Sequence, residues 1–140
     1  CNNKIKKNKQ KSDSGEKLVK QTKDLTKNLK NEMNDQNLNN YIKSVINISF
    51  LTNKYINDEA PWKLKKDNIK KMNNILHLSL DQIAKISILL NPIIPHSTLK
   101  VLYALNVDIK KINYSFLEGK NVISDEIKIK NLDILFKKIN

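Results

Sequence analysis

The sequence predicts an all-α protein, an antiparallel helical bundle over residues 14–105 followed by an irregular C-terminal tail over residues 106–140. Three observations lead to this fold class. Apolar residues recur every three or four positions along three long segments. Prolines stand where two of these segments end. The two glycines are too few for a turn-rich β sandwich. We therefore interpret each apolar stripe as one side of a common core.

The first predicted helix covers about residues 14–34. Asp13, with Glu16 three positions later, indicates its start in the manner of a capping box. Its single narrow apolar stripe consists of Leu18, Thr22, Leu25, Leu29 and Met33. Residues 1–13 are predicted to form a basic flexible segment, because five lysines and no acid fall within the first eleven positions.

The second predicted helix begins near Asp35, which can cap it, and ends near Asp58. It stops there because Pro61 disfavours helical geometry at Ala60. Its apolar positions follow helical spacing and consist of Leu38, Ile42, Val45, Ser49, Thr52 and Ile56. A neighbouring row adds Tyr41, Ile48 and Tyr55. A stripe of this width predicts contact with more than one partner helix.

The third predicted helix begins after Asp67, which can cap it, and ends before Pro92. Its apolar stripe consists of Ile69, Met72, Leu76, Leu80, Ile83, Ile86 and Leu90. Near its end apolar residues cover nearly all sides, so we expect this end at the centre of the bundle. A fourth helix is predicted to begin near Pro95 and to face inward with Leu99, Leu102 and Tyr103.

The tail after residue 105 lacks helical periodicity. Ile127, Ile129 and Leu132 predict short extended pieces, and Gly119 predicts a turn. We expect the tail to pack along the bundle as irregular chain.

Composition excludes several classes of site. One Cys excludes an internal disulfide, and together with two His it cannot form a typical structural zinc site, so we predict no metal. No apolar run reaches the roughly 18 residues of a membrane span. His77 lies mid-helix and is interpreted as a satisfied or exposed histidine, and His96 as part of a helix start. We predict a non-catalytic segment that holds no cofactor.

The formal net charge of +12 has two readings. A basic protein suggests a polyanionic partner. However, the chain has 26 Lys and no Arg, and Lys, Asn and Ile together supply nearly half of its residues. These three residues have AT-rich codons, so part of the surplus is attributable to codon usage. The first residue, Cys1, also leaves two readings open: a lipid-anchored cysteine ahead of a polar tether, or an internal piece of a longer protein.

One segment does not fit the pattern of a helical core. The only Trp, Trp62, directly follows Pro61 in the connection between the second and third predicted helices. Five lysines lie nearby in the sequence: Lys54, Lys63, Lys65, Lys66 and Lys70. An aromatic ring on a rigid turn can stack on an unpaired base, while lysines hold phosphates. The alternative is a Trp that plugs the end of the bundle.

This segment also carries a resemblance to a known family. Asn53 to Lys66 resembles the Asn-(Lys/Arg)-Tyr-(Ile/Val)-Asp-Glu-x-Ala-Pro-Trp stretch of methionyl-tRNA synthetases. Three further segments are similar to motifs of that family and follow in its order, at residues 89–97, 117–122 and 135–139. Together the resemblance covers residues 17–140. It implies the α-helical anticodon-binding domain of a class I synthetase.

The resemblance implies roles for three residues. The Trp that matches Trp62 packs against the first base of the CAU anticodon, and Pro61 shapes that turn. Asn57 stands where the family usually has an Asp that repels wrong anticodons. Asn53 and Tyr55 are assigned to packing. The five lysines are expected to contact phosphates.

The resemblance also implies a parent enzyme, a cytoplasmic methionine–tRNA ligase. That enzyme would use ATP with magnesium to attach methionine to tRNA(Met). The partners of this segment would be tRNA(Met) and the catalytic domain, with no membrane. The alternative that Cys1 keeps open is an exported lipoprotein with a lipid anchor and a helical bundle that binds proteins.

Overall fold

The structure of the protein, a computed structural model, describes residues 4–8 and 12–132. Cys1 and the segment 135–139 lie outside the described residues. Within them the helices are α1 (Asp13–Thr26), α2 (Leu29–Asn34), α3 (Leu38–Glu59), α4 (Ile69–Leu90) and α5 (Pro95–Ala104). Helix α3 packs against α1, α2 and α4, and α4 packs against α5. The prediction of a mostly helical bundle is confirmed.

The first predicted helix is divided into α1 and α2 by a turn at Lys27 and Asn28. The break allows Leu29 to enter the main core, where it is 2% exposed. Helix α1 begins one residue before the predicted limit, because Ser12 caps it by accepting the backbone N–H of Gly15 at 3.2 Å. A Cβ at position 15 would lie only 2.9 Å from Ser12 Oγ, so this close approach requires glycine.

By contrast, α3 and α4 begin slightly later than predicted. Asn37, and not Asp35, caps α3 by accepting the N–H of Asn40. Asn68, and not Asp67, caps α4 by accepting the N–H of Lys71 at 2.9 Å. Asparagine and aspartate satisfy the same free N–H groups, so composition alone does not separate neighbouring candidates.

Helix α4 buries a different face from the one that its apolar stripe predicts. The predicted stripe residues are mostly half-buried, and Ile69 is 56% exposed. The deepest positions instead include four polar residues: His77, Asp81, Gln82 and Lys85. Each has at least one polar partner, which offsets part of the cost of burial; for example, Gln82 Oε1 accepts the hydroxyl of Thr22 at 2.8 Å, although its Nε2 has no hydrogen-bond partner among the described residues.

At residues 4–6 the structure differs from the predicted flexible segment 1–13. Lys4–Lys6 form strand β1, which pairs antiparallel with strand β2 (Glu126–Lys128) and aligns Ile5 with Ile127. Both isoleucines are buried in the main core. Alternation of Lys with one buried Ile is a half-buried strand pattern, which outweighs the local charge once a partner strand is present.

The tail contains more regular structure than predicted. Besides β2 it has 3₁₀ turns at Ile109–Lys111 and Tyr114–Glu118. The extended piece at Ile127 and the turn at Gly119 are confirmed, since Gly119 has a φ of 95°. The division into a bundle at residues 14–105 and a tail at residues 106–140 otherwise stays a prediction.

Helix α5 exposes two residues that were predicted to face inward. Leu102 is buried, whereas Leu99 is 45% exposed and Tyr103 is 65% exposed. The main helix contact of α5 is with α4, and the tail adds a backbone hydrogen bond from Lys130 N–H to Ala104 O at 3.0 Å. Lys130 lies over the Tyr103 ring, 4.0 Å from its centroid.

Candidate nucleic-acid interface

The connection between α3 and α4 is a tight turn built around Pro61. Helix α3 ends at Glu59, and Ala60 adopts the left-handed conformation with a φ of 43°. The N–H of Ala60 donates to Ile56 O at 3.0 Å, which closes the helix end. Pro61–Leu64 then form a 3₁₀ turn. A left-handed alanine is uncommon, so its surroundings must hold this turn in place.

The inner side of the turn rests on a small apolar cluster. Leu18, Tyr55 and Ile75 form its buried centre, and Leu64 packs against it. Pro61 is buried as well. Burial raises the pKa of Tyr55, so this phenol stays neutral well above physiological pH. The turn is therefore anchored through Pro61 and Leu64, and the expected packing role of Tyr55 agrees with its burial.

Trp62 lies on the outer side of the turn. Its side chain is 59% exposed, although Pro61 before it is buried. The alternative of a Trp that plugs the end of the bundle is therefore wrong. An aromatic ring held in solvent by an anchored turn offers a face for stacking.

The acids at the end of α3 are neutralised by neighbouring lysines. Asp58 pairs with Lys54 at 3.2 Å, and both side chains are largely exposed. Glu59 pairs with Lys71 at 3.4 Å and accepts the hydroxyl of Ser14. Neither carboxylate is therefore left as an isolated negative charge beside the turn. Asn57 is exposed on the last turns of α3 and adds no charge.

Four of the five predicted phosphate ligands are free cations. Lys63, Lys65, Lys66 and Lys70 are exposed, and no carboxylate pairs with them within residues 4–8 and 12–132. They follow Trp62 along the turn and the first turn of α4. Lys54, the fifth, is held by Asp58. The structure thus joins an exposed ring to a run of unpaired positive charges.

Sequence reasoning did not single out Phe50 of α3, which is 67% exposed. Its position on the side of this helix opposite both predicted apolar rows was the available signal, since a residue there faces away from the core.

The two histidines differ in their surroundings. His77 is buried and its Nε2 lies 2.8 Å from Ser124 O, in agreement with the prediction of a satisfied histidine. His96 is exposed at the start of α5. The described residues contain no group of three or more His, Cys, Asp or Glu side chains able to hold a metal ion. None of the helices in the described ranges is both long and apolar enough to cross a membrane.

Comparison with known families gives a match over nearly the whole chain. A family model described as the anticodon-binding domain of methionyl tRNA ligase matches residues 5–140. The methionine–tRNA ligase of Rickettsia felis is 40% identical over 76 residues, which cover 54% of this chain and 15% of that protein. The ligase of Rickettsia prowazekii is 31% identical over 108 residues, or 77% of this chain and 21% of that protein. The chain therefore spans about a fifth or less of the length of these relatives.

Solved structures show the same fold. The free form of Mycobacterium tuberculosis methionyl-tRNA synthetase superposes on 99% of this chain with a TM-score of 0.85 and 15% sequence identity. The matched part is 28% of that protein. The form bound by methionyl-adenylate gives the same TM-score over 96% of this chain. At this identity the likeness concerns the fold alone. None of these comparisons supports the exported lipoprotein.

Proposed function

Because this chain belongs to the family of methionyl-tRNA ligase anticodon-binding domains, we propose that it binds tRNA(Met) and recognises the CAU anticodon. The observation that carries the proposal is Trp62, 59% exposed on a turn whose inner side is anchored in an apolar cluster. A fixed ring loses little entropy when a base stacks on it, so the contact favours binding.

Within this proposal, Trp62 stacks on the first base of the anticodon and Pro61 fixes the direction of the ring. Asn57 offers an amide that can donate to or accept from a base edge. An Asp at this position would add a negative charge and repel RNA. Discrimination in this chain therefore rests more on stacking and hydrogen bonding than on repulsion at Asn57.

The lysines supply the electrostatic part of binding. Four of the five lysines form no ion pair with a carboxylate within the described residues, so no ion pair has to break before they contact phosphates. They are Lys63, Lys65, Lys66 and Lys70. Lys54 must first leave Asp58, at a small cost because the pair is exposed. We assign Lys54 the smallest contribution of the five.

The parent protein would be a cytoplasmic ligase that activates methionine with ATP and magnesium and transfers it to tRNA(Met). The catalytic domain would supply that chemistry. This segment would hold the anticodon end and so orient the acceptor end of the tRNA toward the active site. We assign the segment itself no cofactor and no catalytic residue.

Trp62→Ala tests the proposed stacking contact. It removes an exposed ring, so we expect little change in the free energy of unfolding. We expect a loss of about 1–3 kcal/mol in binding of tRNA(Met), because that is the usual contribution of one base–aromatic stack. The measurement is the dissociation constant of the full chain for transcripts with CAU and with an altered first base.

Trp62→Phe is the matched control, since it keeps a ring for stacking and should retain most of the affinity. The preference for CAU should decrease in Trp62→Ala. If Trp62→Ala binds both transcripts as the unaltered chain does, Trp62 has no role in anticodon recognition.

A further inference from the structure

One side of α3 is exposed from Lys43 to Asn57. With 3.6 residues per turn, seven positions fall on this side, and all seven are exposed: Lys43, Ile46, Asn47, Phe50, Asn53, Lys54 and Asn57. We call it the outer face of α3. It combines three amides, two lysines and two apolar side chains, and Lys54 pairs with Asp58 at its edge.

Phe50 lies at the centre of the outer face. It is 67% exposed, more than Trp62, and it stands opposite the buried row that includes Ile48 and Tyr55. Exposing a Phe ring to water costs free energy, although single exposed apolar residues are common on protein surfaces. Here, however, the ring is framed by groups that can bind RNA. Asn47 and Asn53 can hydrogen-bond base edges, and Lys43 carries a charge with no ion pair among the described residues.

The outer face leads along the chain to the proposed anticodon site. Asn57 lies seven residues after Phe50, about two helical turns along the same side. Trp62 follows five residues later on the anchored turn. Phe50 therefore lies about 14 Å along the helix axis from the end of α3 at Glu59. Stacked bases are only about 3.4 Å apart along a strand, so a strand that uses both rings must splay its bases.

We propose that Phe50 is a second stacking platform, which holds another unstacked base of the same single-stranded loop that Trp62 holds. Asn53 and Asn57 lie between the two rings along the chain and contact the edges of the splayed bases. This inference rests on the proposed function and adds a second base-stacking residue to it. The occupant is a loop of single-stranded RNA because the face pairs an exposed ring with amides and with the unpaired charge of Lys43, while Lys54 neutralises the neighbouring Asp58.

The experiment uses RNA hairpins with a CAU anticodon loop that carry 2-aminopurine at one loop position at a time. The fluorescence of 2-aminopurine falls when it stacks on an aromatic ring. Binding to the full chain should quench two separate positions. Phe50→Leu should restore the fluorescence at one of them and Trp62→Leu at the other. Phe50→Leu should also weaken the affinity about 10-fold, within the range of one lost stack.

Two control variants separate stacking from other effects. Phe50→Trp keeps a ring and should retain both the quenching and the affinity. Tyr114→Leu removes a ring that is 71% exposed in the tail and should change neither quantity. The thermal midpoint of each variant, measured without RNA, shows whether it folds like the unaltered chain.

The outcomes distinguish failure of this inference from failure of the proposed function. Unchanged affinity and quenching in Phe50→Leu, with weaker binding in Trp62→Leu, overturns the role of Phe50 and leaves the anticodon site intact. A lowered thermal midpoint in Phe50→Leu, with unchanged quenching, assigns the ring to packing against protein and also overturns the inference. No effect of either variant, together with equal affinity for altered anticodons, removes the proposed function itself.

Discussion

Single residues determine how this chain can attract RNA. All 26 basic side chains are lysines, so no guanidinium is present to form bidentate contacts with phosphates or bases. A lysine acts as a point charge, which favours binding without specifying a base. Selectivity must therefore come from rings and amides, and the exposed Trp62 and Asn57 are the proposed source.

Lys65 and Lys66 allow a test of the electrostatic contribution. We expect Lys65→Ala and Lys66→Ala to weaken binding equally for matched and altered anticodons. In each variant the slope of log affinity against log salt should become shallower by about 0.7. The reason is that binding with one phosphate contact fewer releases fewer counterions from single-stranded RNA. The measurement is a salt titration of the dissociation constant. Lys120→Ala, an exposed lysine in the tail, is the control. An unchanged slope in both variants would show that these lysines do not contact phosphates.

At the level of elements, α4 holds the tail to the bundle by buried polar contacts. Asp81 Oδ1 accepts the N–H of Val122 at 2.6 Å and that of Ile123 at 3.3 Å, while Oδ2 pairs with Lys85 at 2.8 Å. One helical turn before Asp81, His77 Nε2 lies 2.8 Å from the backbone oxygen of Ser124. Asp81 and Lys85 are at most 3% exposed, so water cannot replace a lost partner.

Asp81→Asn tests this attachment. The amide keeps an oxygen for the tail N–H groups but leaves the buried Lys85 ammonium without a counter-charge. We expect a loss of about 3–5 kcal/mol in the free energy of unfolding at neutral pH, measured by urea denaturation. Asp24→Asn, which breaks the exposed pair with Lys27, should leave stability nearly unchanged. Equal stability of Asp81→Asn and the unaltered chain would mean that the pair does not hold the tail.

At the level of the whole molecule, local patterns predict the helices, and distant contacts decide the rest. The spacing of apolar residues predicts the ends of α3 and α4 to within a few residues, because each helix must bury one side. Strand β1 was missed because Ile5 becomes a core residue only beside Ile127, more than 120 residues away. The buried face of α4 was missed for the same reason, since Thr22 and the tail supply its polar partners.

The candidate site was predictable in part. The position of Trp62 after Pro61 indicated a special turn, but sequence physics left both a plug and a platform open. The structure shows Pro61 buried, Leu64 packed on the apolar cluster and the Trp62 ring exposed, which the sequence alone could not decide. The pairing of Lys54 with Asp58 was open to prediction, because the two residues are four positions apart in the predicted helix.

The most direct test of the central claim compares two RNA hairpins that differ only in the first anticodon base. Their dissociation constants for the full, unaltered chain are measured at one fixed salt concentration, so that the phosphate contribution is the same for both. The account predicts tighter binding of the CAU hairpin. Equal affinity for the two hairpins would contradict it, because the chain would then bind RNA without recognising the first anticodon base.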